Sequence, residues 1–149
     1  MTDYTLLNSQ IDALIKDETD LIANLSNISA CLNQTLNDIN WVGFYLYKEE
    51  QLILGPFQGK PACIRIPLNK GVCGSSFSTK KILRIDDVHQ FPTHIACDSA
   101  SNSEIVFPLI KGEHCYGVLD IDSPNFHRFS EQDEKGLNEI VETIMKYCY

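Results

Sequence analysis

The chain has 149 residues, a formal net charge of -8, 44% hydrophobic and 21% charged residues, and six cysteines. At about 150 residues per domain this implies one domain with a single sizeable core. The composition excludes a disordered chain, the acidic balance argues against a nucleic-acid-binding face, and the cysteines are too few for a disulfide scaffold. Residues 1–5 lack the basic and apolar segments of a secretory signal, and no apolar run approaches the ~20 residues of a membrane span. A cytoplasmic setting is expected, with thiols kept reduced and no membrane or nucleic-acid partner.

Leu7, Ile11, Leu14 and Ile15 recur at helical spacing within 3–18, after a Thr2/Asp3 cap signal. Asp20 caps a second helix with Leu21, Leu25, Ile28, Leu32 and Leu36 on one stripe. The aromatic and β-branched run 41–47 reads as a strand, and Glu49-Glu50 turns the chain into a second strand over 51–55. Pro56 and Gly59-Lys60-Pro61 mark a break before a short strand over 62–67. The small, Gly/Ser-rich stretch 71–80 suits a short helix close to a sheet, and 82–88 returns as a strand. Residues 89–102 show neither period; a loop of that length inside a compact domain, containing Ile95, Ala96 and Cys97, reads as ordered and functional. Segments 103–111 and 114–122 form a hairpin around Gly112-Glu113. Ser130 and Asp133 form a capping box, with Asp in place of Glu, for a last helix carrying Leu137, Ile140, Val141, Ile144 and Cys148. The order α-α-β-β-β-α-β-β-β-α, with strands in hairpins, implies an α+β fold with a mostly antiparallel sheet of about six strands.

Cys31, Cys115 and Cys148 lie within helices or a strand and read as packing residues. Cys63, Cys73 and Cys97 each sit beside a break or loop, where a reactive thiol needs exposure and a field favouring its thiolate. Cys73, between Gly71 and Gly74 at a helix start, is the more reactive of the first two on local chemistry alone, because a helix N-terminus lowers a thiol pKa. Which of them meets a third thiol is a matter of distance that local chemistry leaves open. A zinc site from His89, His94, Cys97 and Asp98 is a weak alternative, lacking a Cys-x2-Cys pair or a helical His-Glu-x-x-His.

The acids are unevenly placed. Asp120 and Asp122, two apart, share one strand face while Leu119 and Ile121 turn to the core. Glu104 enters the partner strand of the same hairpin, so all three carboxylates are expected to converge on one pocket. Clustered acids repel, and one of them then holds a raised pKa or meets a cation.

The runs 41–45 (WVGFY), 54–67 (LGPFQGKPACIRIP), 71–74 (GVCG), 86–109 (DDVHQFPTHIACDSASNSEIVFPL) and 117–124 (GVLDIDSP) closely resemble the free methionine-(R)-sulfoxide reductases, a single-domain enzyme branch of the GAF fold. The resemblance covers nearly the whole chain, and the segment around Cys97 is its most specific part. It implies a GAF-like catalytic domain over 1–149 with the N- and C-terminal helices packed on one side of the sheet. It implies that Cys97 is the nucleophile, Cys63 the main resolving thiol and Cys73 a further redox-linked thiol. Trp41, Tyr45, Glu104, Asp120 and Asp122 match the substrate pocket, with Trp41 against the S-methyl end and the acids divided between binding the ammonium group and protonating the sulfoxide oxygen, which acid does which being left open. The implied reaction reduces the sulfoxide of free methionine, leaves Cys97 as a sulfenic acid, and closes a disulfide that thioredoxin or another dithiol reopens. No metal, flavin or nicotinamide is implied on the chain, and a homodimer is. A non-catalytic GAF module binding a small regulator, or a thiol redox sensor without turnover, are the competing classes.

Overall fold

The Asp3 carboxylate accepts the backbone N–H of Leu6 at 3.0 Å and starts α1 (Tyr4–Ile15). The computed structural model describes residues 1–95 and 99–149. Leu7, Ile11 and Ile15, four apart, take the buried stripe of α1; Leu14, expected on the same face, is 45% exposed. The helix ends three residues earlier than the expected 18. Asp20 caps α2 (Leu21–Thr35) through the Ala23 N–H at 2.8 Å, and Leu25, Ile28 and Leu32 are buried along it.

Six strands follow: β1 (Trp41–Lys48), β2 (Gln51–Gly59), β3 (Arg65–Ile66), β4 (Leu83–Ile85), β5 (Ser103–Lys111) and β6 (His114–Ser123). They lie in the order β3-β2-β1-β6-β5-β4, and every neighbouring pair is antiparallel. The expected α+β architecture is therefore present, with three differences in extent. β2 runs through Pro56 to Gly59 instead of ending at Gly55, because the β1–β2 register shifts between Gly43 and Tyr45. Such an irregularity accommodates a residue with no N–H to donate. β3 is only two residues long. β4 stops at Ile85, and Val88 instead begins a short 3-10 turn, Val88–Gln90.

The period of two divides the sheet into two unlike faces. Val42, Phe44, Leu46, Ile105, Phe107, Leu109, Leu119 and Ile121 bury one face under α1, α2 and α4 (Glu131–Cys148). The first and last helices thus share one side of the sheet, as the GAF resemblance implies. The opposite face carries Trp41, Tyr45, Val106 and Val118, and packs against Val72 and Cys73 of α3 (Gly71–Thr79). No helix among the described residues is long and apolar enough to cross a membrane.

The outer helical layer is locked at its ends. Ser130 and Asp133 form the expected capping box of α4. The Tyr4 hydroxyl donates to Asp133 Oδ1 at 2.5 Å, and Arg128 Nη1 reaches its other oxygen at 3.1 Å. Burial pushes the Asp133 carboxyl up, but hydrogen bonds from Ser130 and Tyr4 together with the Arg128 charge outweigh it and hold the group below its ordinary value. Gly136 lies directly under Tyr4: a Cβ there would stand 2.2 Å from the ring Cγ and 2.7 Å from Tyr4 Cβ. Gly136→Ala is therefore expected to destabilise the protein by about 1–3 kcal/mol, against a helix preference of about 1 kcal/mol in the other direction. The urea midpoint of the purified variant checks the sign.

Candidate active site

Three strands bring the site together. β6 places Asp120 and Asp122 on the face away from the helical layer, and β5 places Glu104 directly opposite Asp122. β1 sets Trp41 opposite Asp122 and Gly43 opposite Asp120 on the other side. Glu104, Asp120 and Asp122 thus line one pocket together with Trp41, Tyr45 and Cys73, as the spacing led us to expect. Like charges directly across a ladder repel, so this corner of the sheet is built against its own stability.

Its chemistry follows from burial. Asp120 is only 5% exposed, and its Oδ1 has no hydrogen-bond partner among the described residues. Burial first, then the neighbouring Asp122 and Glu104 carboxylates, push the Asp120 carboxyl well above its ordinary range. A proton is therefore stored at the floor of the pocket at pH values where an exposed aspartate is ionised.

The cysteines fall into distinct environments. Cys73 stands in the first turn of α3, which Gly71 opens at φ 63° with Ile95 packed against it. The expectation that this helix N-terminus makes Cys73 the more reactive thiol is overturned. Cys73 is 4% exposed and free, with its Sγ 3.9 Å from Glu104 Oε2. Burial, followed by Asp120 and Glu104, pushes its thiol well above the ordinary value, so burial and the acids together defeat the dipole. Cys63 is half-buried and disulfide-bonded. It follows Pro61 and Ala62, which line the pocket. Cys97 lies outside the described residues; His94 and Ile95 before it and Ser101 after it line the pocket. Cys31 and Cys148 are half-buried and Cys115 is buried, all three free, and burial raises each thiol.

Aromatic rings form the other wall. Trp41 stacks on Phe57 at 5.2 Å and on Tyr45 at 5.8 Å between centroids. Both polar ends have partners: Trp41 Nε1 donates to the Lys60 carbonyl at 3.2 Å, and the Tyr45 hydroxyl donates to the Cys63 carbonyl at 2.9 Å.

Two features of the site were not singled out from the sequence. Lys70, Gly71 and Val72 line the pocket, so the N-terminal end of α3 faces it, and Lys70 supplies no side-chain hydrogen bond to that helix start. A helix N-terminus with a lysine beside it suits a carboxylate. In retrospect, Lys70-Gly71 ahead of a small-residue helix was the available signal. As for metals, one ligand atom each from Cys73, Glu104 and Asp120 lie within 4.8 Å of one another. The His89, His94, Cys97 and Asp98 combination is not assembled among the described residues: Cys97 and Asp98 fall outside them, and His89 Nε2 is engaged with Asn102 Oδ1 at 3.0 Å.

The stored proton has a measurable consequence. A carboxyl whose folded-state pKa is raised contributes stability that is complete below its unfolded value and is lost as pH rises through the folded one. Asp120→Asn removes that loss. The variant is expected to be more stable than the wild type at neutral and alkaline pH, by on the order of 1 kcal/mol or more, with the difference vanishing in acid. Thermal unfolding across that pH range reads it, and an equal shift at every pH would contradict the assignment.

The GAF domain family matches residues 28–146 of the chain. Protein YtsP of Bacillus subtilis is 56% identical over 146 residues, covering 97% of this chain and 90% of that protein. The free methionine-R-sulfoxide reductase of Escherichia coli is 52% identical over 143 residues, covering 96% and 87%. Among solved structures, that of fRMsr of Staphylococcus aureus in its reduced form superposes with a TM-score of 0.97 at 53% identity, covering 100% of this chain and 97% of that one. The same protein in complex with substrate superposes at 0.95.

Proposed function

Because the chain belongs to the GAF domain family and, within it, to the free methionine-R-sulfoxide reductases, we propose that it reduces free methionine-(R)-sulfoxide to methionine with Cys97 as nucleophile. The observation that carries this reading is the convergence of Glu104, Asp120 and Asp122 beneath a pocket whose wall holds both flanks of the Cys97 segment and the residues preceding Cys63.

The substrate is a zwitterion with an apolar tail, and the pocket offers a partner for each part. The acids accept its ammonium group, the α3 N-terminus and Lys70 receive its carboxylate, and Trp41 and Tyr45 enclose the methyl end. A residue within a peptide has neither charge and brings chain on both sides, so this arrangement favours the free amino acid.

In the proposed chemistry the Cys97 thiolate attacks the sulfoxide sulfur. The sulfoxide oxygen is poorly displaced as an anion, and Asp120 is the group that holds a proton within the pocket to supply it. Oxygen passes to Cys97, the methionine sulfur takes the electron pair, and methionine leaves with Cys97 as sulfenic acid. The Cys63 thiol then attacks that sulfur, water departs and a disulfide closes. The disulfide-bonded state of Cys63 supports this resolving role. A dithiol reductant of the thioredoxin class reopens it by exchange. Cys73, buried and held protonated, is a poor first partner, and in this scheme it exchanges only after the first disulfide has formed. The same reading carries a homodimer, which sedimentation measures.

Cys97→Ser is expected to abolish methionine production while leaving the far-UV spectrum unchanged. Cys63→Ser is expected to release one methionine per chain and then stall. A wild-type protein that oxidises its thiols without consuming free methionine-(R)-sulfoxide would instead be a sensor or a ligand-binding module. The ammonium role is tested separately: N-acetylation of the substrate is expected to cost about 1.5–3 kcal/mol in kcat/KM, the range for a hydrogen bond to a charged group. Equal rates on the two substrates would remove the acids from amine recognition.

A further inference from the structure

The pocket aromatics are bound to the segment that carries the resolving cysteine. Trp41 and Tyr45, on one face of β1, are 3% and 2% exposed, so their positions are fixed by packing. Their polar ends do not point at open pocket but at backbone: the indole N–H at the Lys60 carbonyl, 3.2 Å, and the phenol O–H at the Cys63 carbonyl, 2.9 Å. Between those two carbonyls the chain belongs to no helix or strand. Its entry is shaped by Gly59, at φ 140°, where a Cβ would meet Trp41 Cδ1 at 2.6 Å. On leaving it, the chain regains a sheet-like bond only at Ile64, whose carbonyl accepts the Leu54 N–H at 2.9 Å.

The geometry points to a second duty for Tyr45, assisted by Trp41: these rings are positioning residues for the resolving thiol, pinning the backbone of Lys60 and Cys63 so that the Cys63 sulfur is held ready for the oxidised nucleophile. The inference deepens the reductase reading and rests on its assignment of Cys97 and Cys63. A disulfide demands Cα atoms roughly 4.4–6.8 Å apart with matched Cβ directions. A free loop meets that condition only part of the time, whereas a pinned one raises the effective concentration of the attacking group. The step assisted is the condensation of the Cys63 thiol with the Cys97 sulfenic acid. One S–S bond forms, the S–O bond breaks, and hydroxide leaves as water with the thiol proton. The hydroxyl acts on this step through the Cys63 carbonyl, while the Tyr45 ring remains part of the pocket wall.

Tyr45→Phe separates the two duties, since it keeps the ring and deletes the donor. In a single turnover of the reduced enzyme, methionine release is followed by rapid quench, sulfenic acid by dimedone trapping, and disulfide closure by loss of free thiol. The ratio of the closure rate to the methionine-release rate is expected to fall roughly 3- to 10-fold, as the loss of one neutral hydrogen bond allows, with trapped sulfenic acid rising correspondingly. A merely structural defect lowers both rates together and leaves the ratio unchanged, which would overturn the inference. The same comparison with hydrogen peroxide in place of the sulfoxide generates the sulfenic acid without substrate. Closure slowed in Tyr45→Phe there, even if no methionine were released in the first experiment, would leave the pinning role standing while the reductase reading fell. Trp41→Phe, which loses the other donor, gives a second reading in the peroxide assay should Tyr45→Phe not fold; closure at the wild-type rate in that variant would overturn the inference too.

Discussion

Gathering three carboxylates, two of them buried, at one corner of an antiparallel sheet is the constraint on which the rest of the site depends. Glu104 and Asp122 face each other across the β5–β6 ladder, with Asp120 two positions away on the same face. Burial and the neighbouring carboxylates push Asp120, the most buried of the three and with an orphaned oxygen, well above its ordinary range, so a proton is retained there. The same acids govern the nearest thiol. Cys73 stands at the start of α3, yet burial first and these acids next push its thiol well above the ordinary value.

The remainder of the fold compensates for that corner. The opposite face of the sheet is an uninterrupted apolar layer under α1, α2 and α4, with Phe44, Phe107, Ile105, Leu119 and Ile121 fully buried. β5 and β6 therefore carry a stabilising residue at every second position and a pocket-lining acid at several of the alternates. This division lets a strand such as Val118–Asp122 serve core and chemistry together: Leu119 and Ile121 hold it down while Asp120 and Asp122 do the unfavourable part.

That division is why so much was legible beforehand. A period of two is local, so the shared face of Asp120 and Asp122 followed from their spacing, and the hairpin brought in Glu104. The caps at Asp3, Asp20 and Ser130 were readable for the same reason: each is one side chain meeting a backbone N–H three residues on. What was not legible depends on what packs from elsewhere. Pro56 signalled a break locally, but the register shift opposite it kept β2 running to Gly59. Leu14 looked interior by spacing, yet the buried apolar stripe of α1 is Leu7, Ile11 and Ile15, and Leu14 lies off it. Cys73 was misjudged because its environment is set by tertiary burial and by acids some thirty to fifty positions later. The role of Cys97 rested on likeness to a family, since a thiol in an aperiodic loop carries no period of its own.

The pairing of the chain's earliest and latest elements has a consequence for its synthesis. α1 is seated on α4 through Tyr4, Asp133 and Gly136, and Thr143 Oγ1 donates to Asn8 Oδ1 at 2.7 Å. β1, meanwhile, finds one of its two neighbours only in β6. A chain emerging from the ribosome can build the β1–β2 hairpin early, but β1 keeps an open edge until β6 has emerged, and α1 lacks its seat on α4 until residues 131–148 are free. Completion of the fold is thereby deferred until both segments have emerged, and contacts between such distant segments slow it further. Until that moment the nascent chain exposes the apolar 41–46 run and its cysteines together, which makes this interval the period of greatest exposure to aggregation and to oxidants.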